Sequence, residues 1–330
     1  MTIPSFKILK KNAAERVAAA PKQKHIVLIY AGAVTVLAAL VTVINYVLGL
    51  QIDQLGGLSN MGLKSMLSTV QSVLPMIQSA VVMCLELGYI AAMVRIARQQ
   101  YASEQTLKLG FDRFWVLIRL ALVQASIYMM AGLAALWLST QIYLITPLSD
   151  SAMAALEPYL ADMDTLINML ADPAFSNQVA LSMLPLFLMF GVLYAAFSIP
   201  LSYSMRMARY VIIDKPGTGA VFALRESRKM MKGSRFRLFR LDLSLWWWYA
   251  IGFLAMALGN VDVILSGLGM PLPMNETLSY FLFYFLFLGI QFAATFFLRN
   301  RVEVVYAQVY NALKPREKDT GVVLGNIFQM

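Results

Sequence analysis

The feature that most constrains this chain is a basic block at residues 206–242, which lies between two long stretches without charge. The block contains ten Lys and Arg residues against three acidic residues. The flanking stretches, 173–205 and 243–261, contain no charged residue. Because Lys and Arg beside a membrane-spanning helix resist translocation, a basic block between two apolar stretches predicts a cytoplasmic loop. This loop sets the orientation of the helices on both sides of it.

The composition indicates a polytopic membrane protein. Hydrophobic residues make up 59% of the chain and charged residues 14%, with a mean hydropathy of +0.66. Soluble domains carry about a quarter charged residues. The net charge of +9 does not indicate a nucleic-acid partner, because the basic residues recur in alternate connecting segments instead of gathering on one folded surface.

The apolar stretches predict an all-α bundle of six transmembrane helices arranged as three hairpins. About 20 predominantly apolar residues suffice for one crossing of a bilayer. The predicted spans are residues 26–50, 70–94, 117–146, 179–205, 243–260 and 278–298. Pro185 and Pro200 predict kinks in the fourth span, which neighbouring helices in a bundle can tolerate.

The distribution of charge predicts that both chain termini lie in the cytoplasm and that the protein lies in the cytoplasmic membrane. Residues 1–25 would be a basic cytoplasmic N-terminus, 26–300 the transmembrane domain and 301–330 a cytoplasmic tail. Of the 27 Lys and Arg residues, only Lys64 falls in a segment that this topology places outside. The segment 147–178 is acidic and contains no Lys or Arg. We expect it to lie outside, with a short amphipathic helix.

Two of the predicted inner loops share a layout. The second helix ends in RIAR at 95–98 and the fourth in RMAR at 206–209. Each motif is followed by a glycine, Gly110 or Gly233, and then by an aromatic residue and further arginines. Membrane folds often contain internal repeats, so the pattern favours a partly degenerate duplication. The alternative is that any helix that ends at the cytoplasm acquires arginine.

The residues around 218–232 predict a short amphipathic helix in the membrane interface. Four cations recur at i, i+3, i+4 and i+7, opposite an apolar sector, and Gly233 suits the end of the helix. We interpret the basic face, continued in the next segment, as a candidate surface for anionic lipid headgroups at the inner face or for an unidentified protein partner. The alternative is that it only anchors the loop. The candidate residues are Arg225, Arg228, Lys229, Lys232, Arg235, Arg237 and Arg240.

A cluster of aromatic residues opens the fifth predicted span. Trp246, Trp247 and Trp248 directly follow the basic block. Trp and Tyr are enriched where membrane-spanning helices meet the headgroup region. These residues therefore predict an interfacial aromatic belt.

Several runs resemble a known family. They are ELGY at 86–89, LSYSM at 201–205 and ALRESRKMMKG at 223–233, which is followed by RLFRLDLS at 237–244. The chain resembles, over about 75–260, the bacterial integral-membrane family catalogued as domain of unknown function 975. It departs from that pattern in the three tryptophans and in a longer acidic segment. The resemblance implies a helical protein of the bacterial cytoplasmic membrane, with no assigned reaction and no catalytic residue to transfer.

Glu86 is the only residue with a charged side chain well inside a predicted span. A charge within the bilayer is costly, so such a residue is a candidate for a proton relay, an ion site or a substrate contact. The alternative is a structural pair with an arginine at the cytoplasmic rim, such as Arg95, nine residues further along the chain.

The sequence contains no motif that indicates catalysis, a metal site or a cofactor. One histidine, His25, and one cysteine, Cys84, exclude a Cys/His zinc site. No phosphate-binding glycine motif or nucleophile elbow appears. Glu157, Asp162 and Asp164 could supply oxygen ligands to a divalent cation, but a solvated acidic face is the favoured interpretation.

Three hypotheses for the function follow from the sequence. The favoured one is a non-enzymatic membrane accessory, scaffold or assembly component with lipid-facing basic loops. The alternative is a transporter or lipid translocator that uses the intramembrane Glu86. An enzyme that acts on lipid headgroups has the least support, because no catalytic motif accompanies it.

Overall fold

A computed structural model describes residues 3–20, 23–55, 60–159, 172–267 and 274–314, with the single positions 165, 169 and 270. In these residues all the regular secondary structure is helical. Five helices are long and apolar enough to cross a membrane, and a bent pair makes a sixth if its two helices form one span. The predicted all-α class is confirmed, and the length and hydrophobicity of these helices are those of a membrane protein.

The helices fall into two compact units, one made of Met1–Ile118 with Met207–Met330 and the other of Arg119–Arg206. In chain order the helices are α1 (Phe6–Ala19), α2 (Gln23–Gln54), α3 (Met61–Ala97), α4 (Leu109–Asp112), α5 (Phe114–Ile145), α6 (Asp150–Leu156), α7 (Pro173–Met205), α8 (Ala208–Asp214), α9 (Ala220–Met231), α10 (Arg235–Ser244), α11 (Trp246–Gly259), α12 (Val261–Gly267), α13 (Glu276–Ala294) and α14 (Asn300–Leu313). Short 3₁₀ turns occupy Glu104–Lys108, Pro147–Ser149 and Glu157–Tyr159, and a π-helical turn, Thr295–Arg299, joins α13 to α14.

The fifth predicted span, 243–260, is not one straight helix. The chain bends by 63° between α10 and α11, with Leu245 at the break. Only α11, of 14 residues, follows the bend. At 1.5 Å per residue it is about 21 Å long, which is shorter than the roughly 30 Å hydrocarbon core of a bilayer.

One end of the first unit has a tightly packed core that the sequence analysis did not predict. There α1 and α14 pack against the C-terminal part of α3. Leu9, Ala13 and Val17 are the buried residues of α1, four residues apart and so on one face. Most of α14 is buried. The segment predicted as a basic N-terminus thus contributes α1 to this core. The segment predicted as a cytoplasmic tail contributes α14, which ends at the buried Leu313.

Two glycines allow the backbone to approach α3 closely. A methyl group at Gly88 would overlap the backbone of Leu107, and one at Gly110 would overlap the backbone carbonyl of Cys84. Cys84 and Gly88 lie one turn apart, so the loop after α3 folds back along one face of the helix. Glu86 lies between these two contact points in the sequence, and the close packing fixes the backbone that carries it.

The second unit contains most of α5 and the whole of α7. The Tyr143 hydroxyl donates to the backbone carbonyl of Ser182 at 3.1 Å, and Gly132 lies against the ring of Tyr194. Earlier residues of α5 therefore meet later residues of α7, the pattern of antiparallel neighbours. The helix α7 contains both Pro185 and Pro200 and remains one element.

We predict that Gly110→Ala lowers the free energy of unfolding by about 1–3 kcal/mol, because the new methyl group must displace the backbone of Cys84. The matched control is Gly32→Ala in α2, where the new Cβ has no neighbour within 4 Å beyond the adjacent backbone of its own helix and the helix should gain about 0.5–1 kcal/mol. Thermal unfolding in detergent measures both. Equal midpoints for the two variants would contradict the close approach.

Candidate functional site

The carboxylate of Glu86 binds two arginines that are distant in the sequence. Arg209 Nη1 lies 2.6 Å from Glu86 Oε2, and Arg299 Nη2 lies 2.8 Å from Glu86 Oε1. Glu86 belongs to α3, Arg209 to α8 and Arg299 to the π-helical turn. One acidic side chain therefore connects three separate parts of the first unit.

Glu86 does pair with arginine, as the structural alternative expected, but Arg95 is not its partner. Arg95 instead donates to Thr106 Oγ1 at 3.1 Å. Nine residues correspond to about two and a half turns of an α-helix. Arg95 therefore points from the opposite face of α3, and a local pair with Glu86 is geometrically excluded. The pair does form, but with cations from other helices.

Arg299 lies against two stacked tyrosines. The rings of Tyr30 and Tyr89 are 4.4 Å apart and nearly parallel, and the guanidinium carbon of Arg299 lies 5.2 Å and 5.4 Å from their centroids. Arg299 also donates to the Tyr30 hydroxyl at 2.8 Å and lies 3.7 Å from Glu303. A guanidinium suits this combination of aromatic contact, hydrogen bonding and ion pairing, because it offers several donors in one plane.

A second acidic residue, Asp214, repeats the arrangement nearby. Arg98 and Lys314 each approach a different carboxylate oxygen at 2.7 Å, and the Tyr310 hydroxyl donates to it at 3.0 Å. Arg98 in turn donates to the Asn311 side chain at 3.0 Å. Asp214 thus fastens the C-terminal ends of α3, α8 and α14 to one another.

We call the groups around Glu86 and Asp214 the polar cluster. Its carboxylates already accept hydrogen bonds from arginine, lysine or tyrosine side chains. The cluster therefore stabilises the packing of the helices that it connects. Among the described residues, no group of three His, Cys, Asp or Glu side chains could hold a metal ion. Asp162 and Asp164 lie outside the described residues. The hydroxyl of Tyr89 is buried and finds no hydrogen-bond partner in the part of the chain that the structure describes.

The helix α9 has one buried face and one exposed face. Its buried residues are Ala220, Ala223, Leu224, Ser227 and Met231. The exposed residues include the four cations of the predicted stripe: Arg225, Arg228, Lys229 and Lys232. The helix ends at a turn in which Gly233 has a φ of 82°, a conformation that favours glycine. Arg235 and Arg240 of α10 are exposed as well, and Arg237 is partly exposed.

The tryptophans stand immediately after the bend between α10 and α11. Trp246 is 67% exposed, while Trp247 and Trp248 are partly buried. Their place at the start of α11 is compatible with an interfacial belt, which stays a prediction.

Comparison with known proteins identifies the family. The family described as "Protein of unknown function (DUF975)" matches residues 22–309, and the chain belongs to it. No curated protein and no solved structure matches the chain. The match covers both Glu86 and its partners as well as α9 and α10.

We predict that Glu86→Gln destabilises the fold by about 2 kcal/mol, because it leaves Arg209 without a counter-charge and Arg299 with only the more distant Glu303. The loss should be smaller than for a fully buried pair, since these side chains are 20–36% exposed. Glu226→Gln, which removes only the pair with the exposed Lys229, is the control and should change stability by less than about 0.5 kcal/mol. Denaturation in detergent would reject this account if both variants behaved like the wild type.

We also predict that Arg299→Lys costs more stability than Arg209→Lys. Both variants keep the positive charge beside Glu86, but the compact ammonium group of lysine cannot contact both tyrosine rings and donate to the Tyr30 hydroxyl while it binds Glu86. Arg209 has 36% of its side chain exposed and binds Glu86 without the tyrosine contacts that Arg299 makes. The measurement is the unfolding midpoint in detergent; an equal decrease would show that the contact of Arg299 with the tyrosines contributes little.

Proposed function

We propose that this membrane protein is a non-enzymatic accessory, scaffold or assembly component that presents α9 and α10 to anionic lipid headgroups at the cytoplasmic face. The observation that supports this most directly is the exposed basic face of α9 on a firmly held helix. Nothing in the polar cluster resembles the nucleophile–base geometry of an enzyme.

The buried face of α9 is fixed to the rest of the first unit. The Met207 backbone N–H donates to the buried Ser227 side chain at 3.1 Å. On the opposite face, Arg225, Arg228 and Lys232 have no acidic partner in the described parts of the chain, and only Lys229 pairs with Glu226, at 2.9 Å. A fixed helix with unpaired cations on its outer face is preorganised for an anionic surface.

Electrostatic attraction and apolar burial together favour lipids as the primary contact of the basic face of α9. Each Lys or Arg near an anionic leaflet contributes about 1 kcal/mol, and the attraction decreases within a Debye length. Exposed apolar side chains accompany the cations: Val221 and Phe222 on α9 and Phe236 on α10. A helix with both features binds the headgroup boundary better than either feature alone allows.

The orientation belongs to the same proposal. Lys10 of α1 donates to the backbone carbonyl of Ser244 at 2.6 Å, and Arg16 donates to that of Ala97. The N-terminal helix is thereby joined to the ends of α10 and α3 at one end of the first unit. The positive-inside rule would place this end in the cytoplasm.

The transporter alternative has weaker support. Both carboxylate oxygens of Glu86 are occupied by guanidinium groups, so a transported ion or substrate would first have to displace them. Proteoliposomes with a fluorescent phosphatidylethanolamine provide a test. Lipid movement by the wild type that Glu86→Gln abolishes, without loss of folded protein, would favour transport over the proposed role.

We predict that replacing Arg225, Arg228, Lys229 and Lys232 together with Gln reduces the anionic lipid retained by the protein. The expected loss is about 1 kcal/mol of binding free energy per charge. The measurement is phosphatidylglycerol retained through purification in mild detergent, with phosphatidylcholine as the uncharged comparison. Unchanged retention by a folded variant would refute the proposed function.

We further predict that cysteines at position 229 and position 150 react with a membrane-impermeant maleimide from opposite sides of the membrane. Lys229 and Asp150 are both exposed, and the native Cys84 is fully buried, so it should not react. Labelling of right-side-out and inverted vesicles measures the sidedness. Reaction of both cysteines from the same side would overturn the proposed orientation.

A further inference from the structure

A small pocket lies where α9 ends and α10 begins. Its volume is about 410 Å³, within the range of sites that hold small ligands. The residues that line it are Arg228, Lys232, Gly233, Arg235 and Phe236. Three of the five are cations, and none is acidic.

The turn between the helices creates this concentration of positive charge. Lys232 follows the last residue of α9, and the left-handed conformation of Gly233 reverses the chain so that Arg235 starts α10 beside it. The first backbone N–H groups of a helix have no acceptor within that helix, and the Ser234 side chain makes no capping hydrogen bond to them. The helix N-terminus therefore adds to the positive potential of the pocket.

The cations of the pocket are not neutralised from within the chain. Arg228, Lys232 and Arg235 have no ion pair with any described residue. The nearest acids in the sequence are engaged elsewhere: Glu226 binds Lys229, and Asp242 accepts from the Tyr306 hydroxyl at 2.7 Å. A concave site with three free cations has the chemistry that binds a phosphate group.

The apolar side of the pocket indicates where that phosphate comes from. Phe236 lines the pocket and has 71% of its surface exposed. A free phosphate ion would gain nothing from this ring, whereas a phospholipid carries glycerol and acyl carbons directly beside its phosphate. The pairing of cations with an exposed aromatic ring is typical of surfaces in the membrane interface.

We infer that this pocket is a discrete binding site for the phosphate of an anionic phospholipid, held by Arg228, Lys232 and Arg235 with Phe236 against the lipid's apolar part. The inference rests on the proposed function and makes it specific: one lipid binds at the junction of α9 and α10, in addition to the diffuse attraction of the whole basic face. The remaining cations of that face contribute only the diffuse part.

The chain offers a closely matched pair of variants for the test. Arg228→Gln with Arg235→Gln removes two arginines from the pocket, one on each helix. Arg225→Gln with Arg240→Gln also removes one exposed arginine from each helix, but neither lines the pocket. Because both variants lose the same charge, the diffuse attraction decreases equally. Short-chain phosphatidylglycerol is titrated against the full-length protein in mild detergent, and the dissociation constant is obtained by native mass spectrometry.

We expect the pocket variant to bind phosphatidylglycerol about tenfold more weakly than the control variant, with both as stable as the wild type. Equal weakening in the two variants would refute the discrete site and leave the proposed lipid-facing role intact. No weakening in either would refute both. Displacement of the lipid by excess inorganic phosphate, to the same degree in the wild type and in Phe236→Ser, would show that the site takes free phosphate, and would overturn the assignment to a lipid.

Discussion

The ion pairs of Glu86 with Arg209 and Arg299 are the contact on which the organisation of the first unit depends. A carboxylate in an apolar helix is costly unless cations and hydrogen bonds compensate it. Here the compensation comes from α8 and from the turn before α14, which are far apart along the chain. The pairs therefore specify how these segments meet, and the two tyrosines beside Arg299 help to hold its guanidinium through the Tyr30 hydroxyl and the contact with both rings. Asp214 secures the adjoining helix ends in the same way.

The polar cluster and the basic face of α9 divide the charges of this protein into two groups. Cations in the cluster are paired with carboxylates and stabilise the fold. Arg225 and Arg228 on α9 and Lys232 directly after it have no acidic partner in the described residues and remain available to an external anion. The net charge of the chain does not distinguish the two groups, because it counts paired and unpaired cations alike. Their distinction supports the interpretation that the protein works through its surface at the membrane, and it separates the residues expected to affect stability from those expected to affect lipid binding.

The fold could be predicted from the sequence where the signal is local. Long uncharged runs predict the apolar helices. The spacing of the cations at 225, 228, 229 and 232 predicts the exposed face of α9. The partners of Glu86 could not be obtained in this way, because helix periodicity contains no information about a residue 213 positions away. The buried α14 is not predictable from charge for a different reason: Arg299 and Arg301 resemble the end of a membrane domain, whereas the apolar residues after them, such as Val302 and Val305, belong to the core of the first unit.

The separation of Glu86 from its cations also has a consequence for biosynthesis. Arg209 follows Glu86 by 123 residues and Arg299 by 213. At about 5–20 residues per second, the ribosome needs roughly 10–40 s to reach the second arginine after it has made the acid. Until Arg209 is made the carboxyl group on α3 has neither of its permanent partners, and for the rest of that period it lacks Arg299. The N-terminal helices therefore reach their final arrangement only when the last third of the polypeptide has been translated, and a chain that stops before Arg299 lacks the means to close its own core.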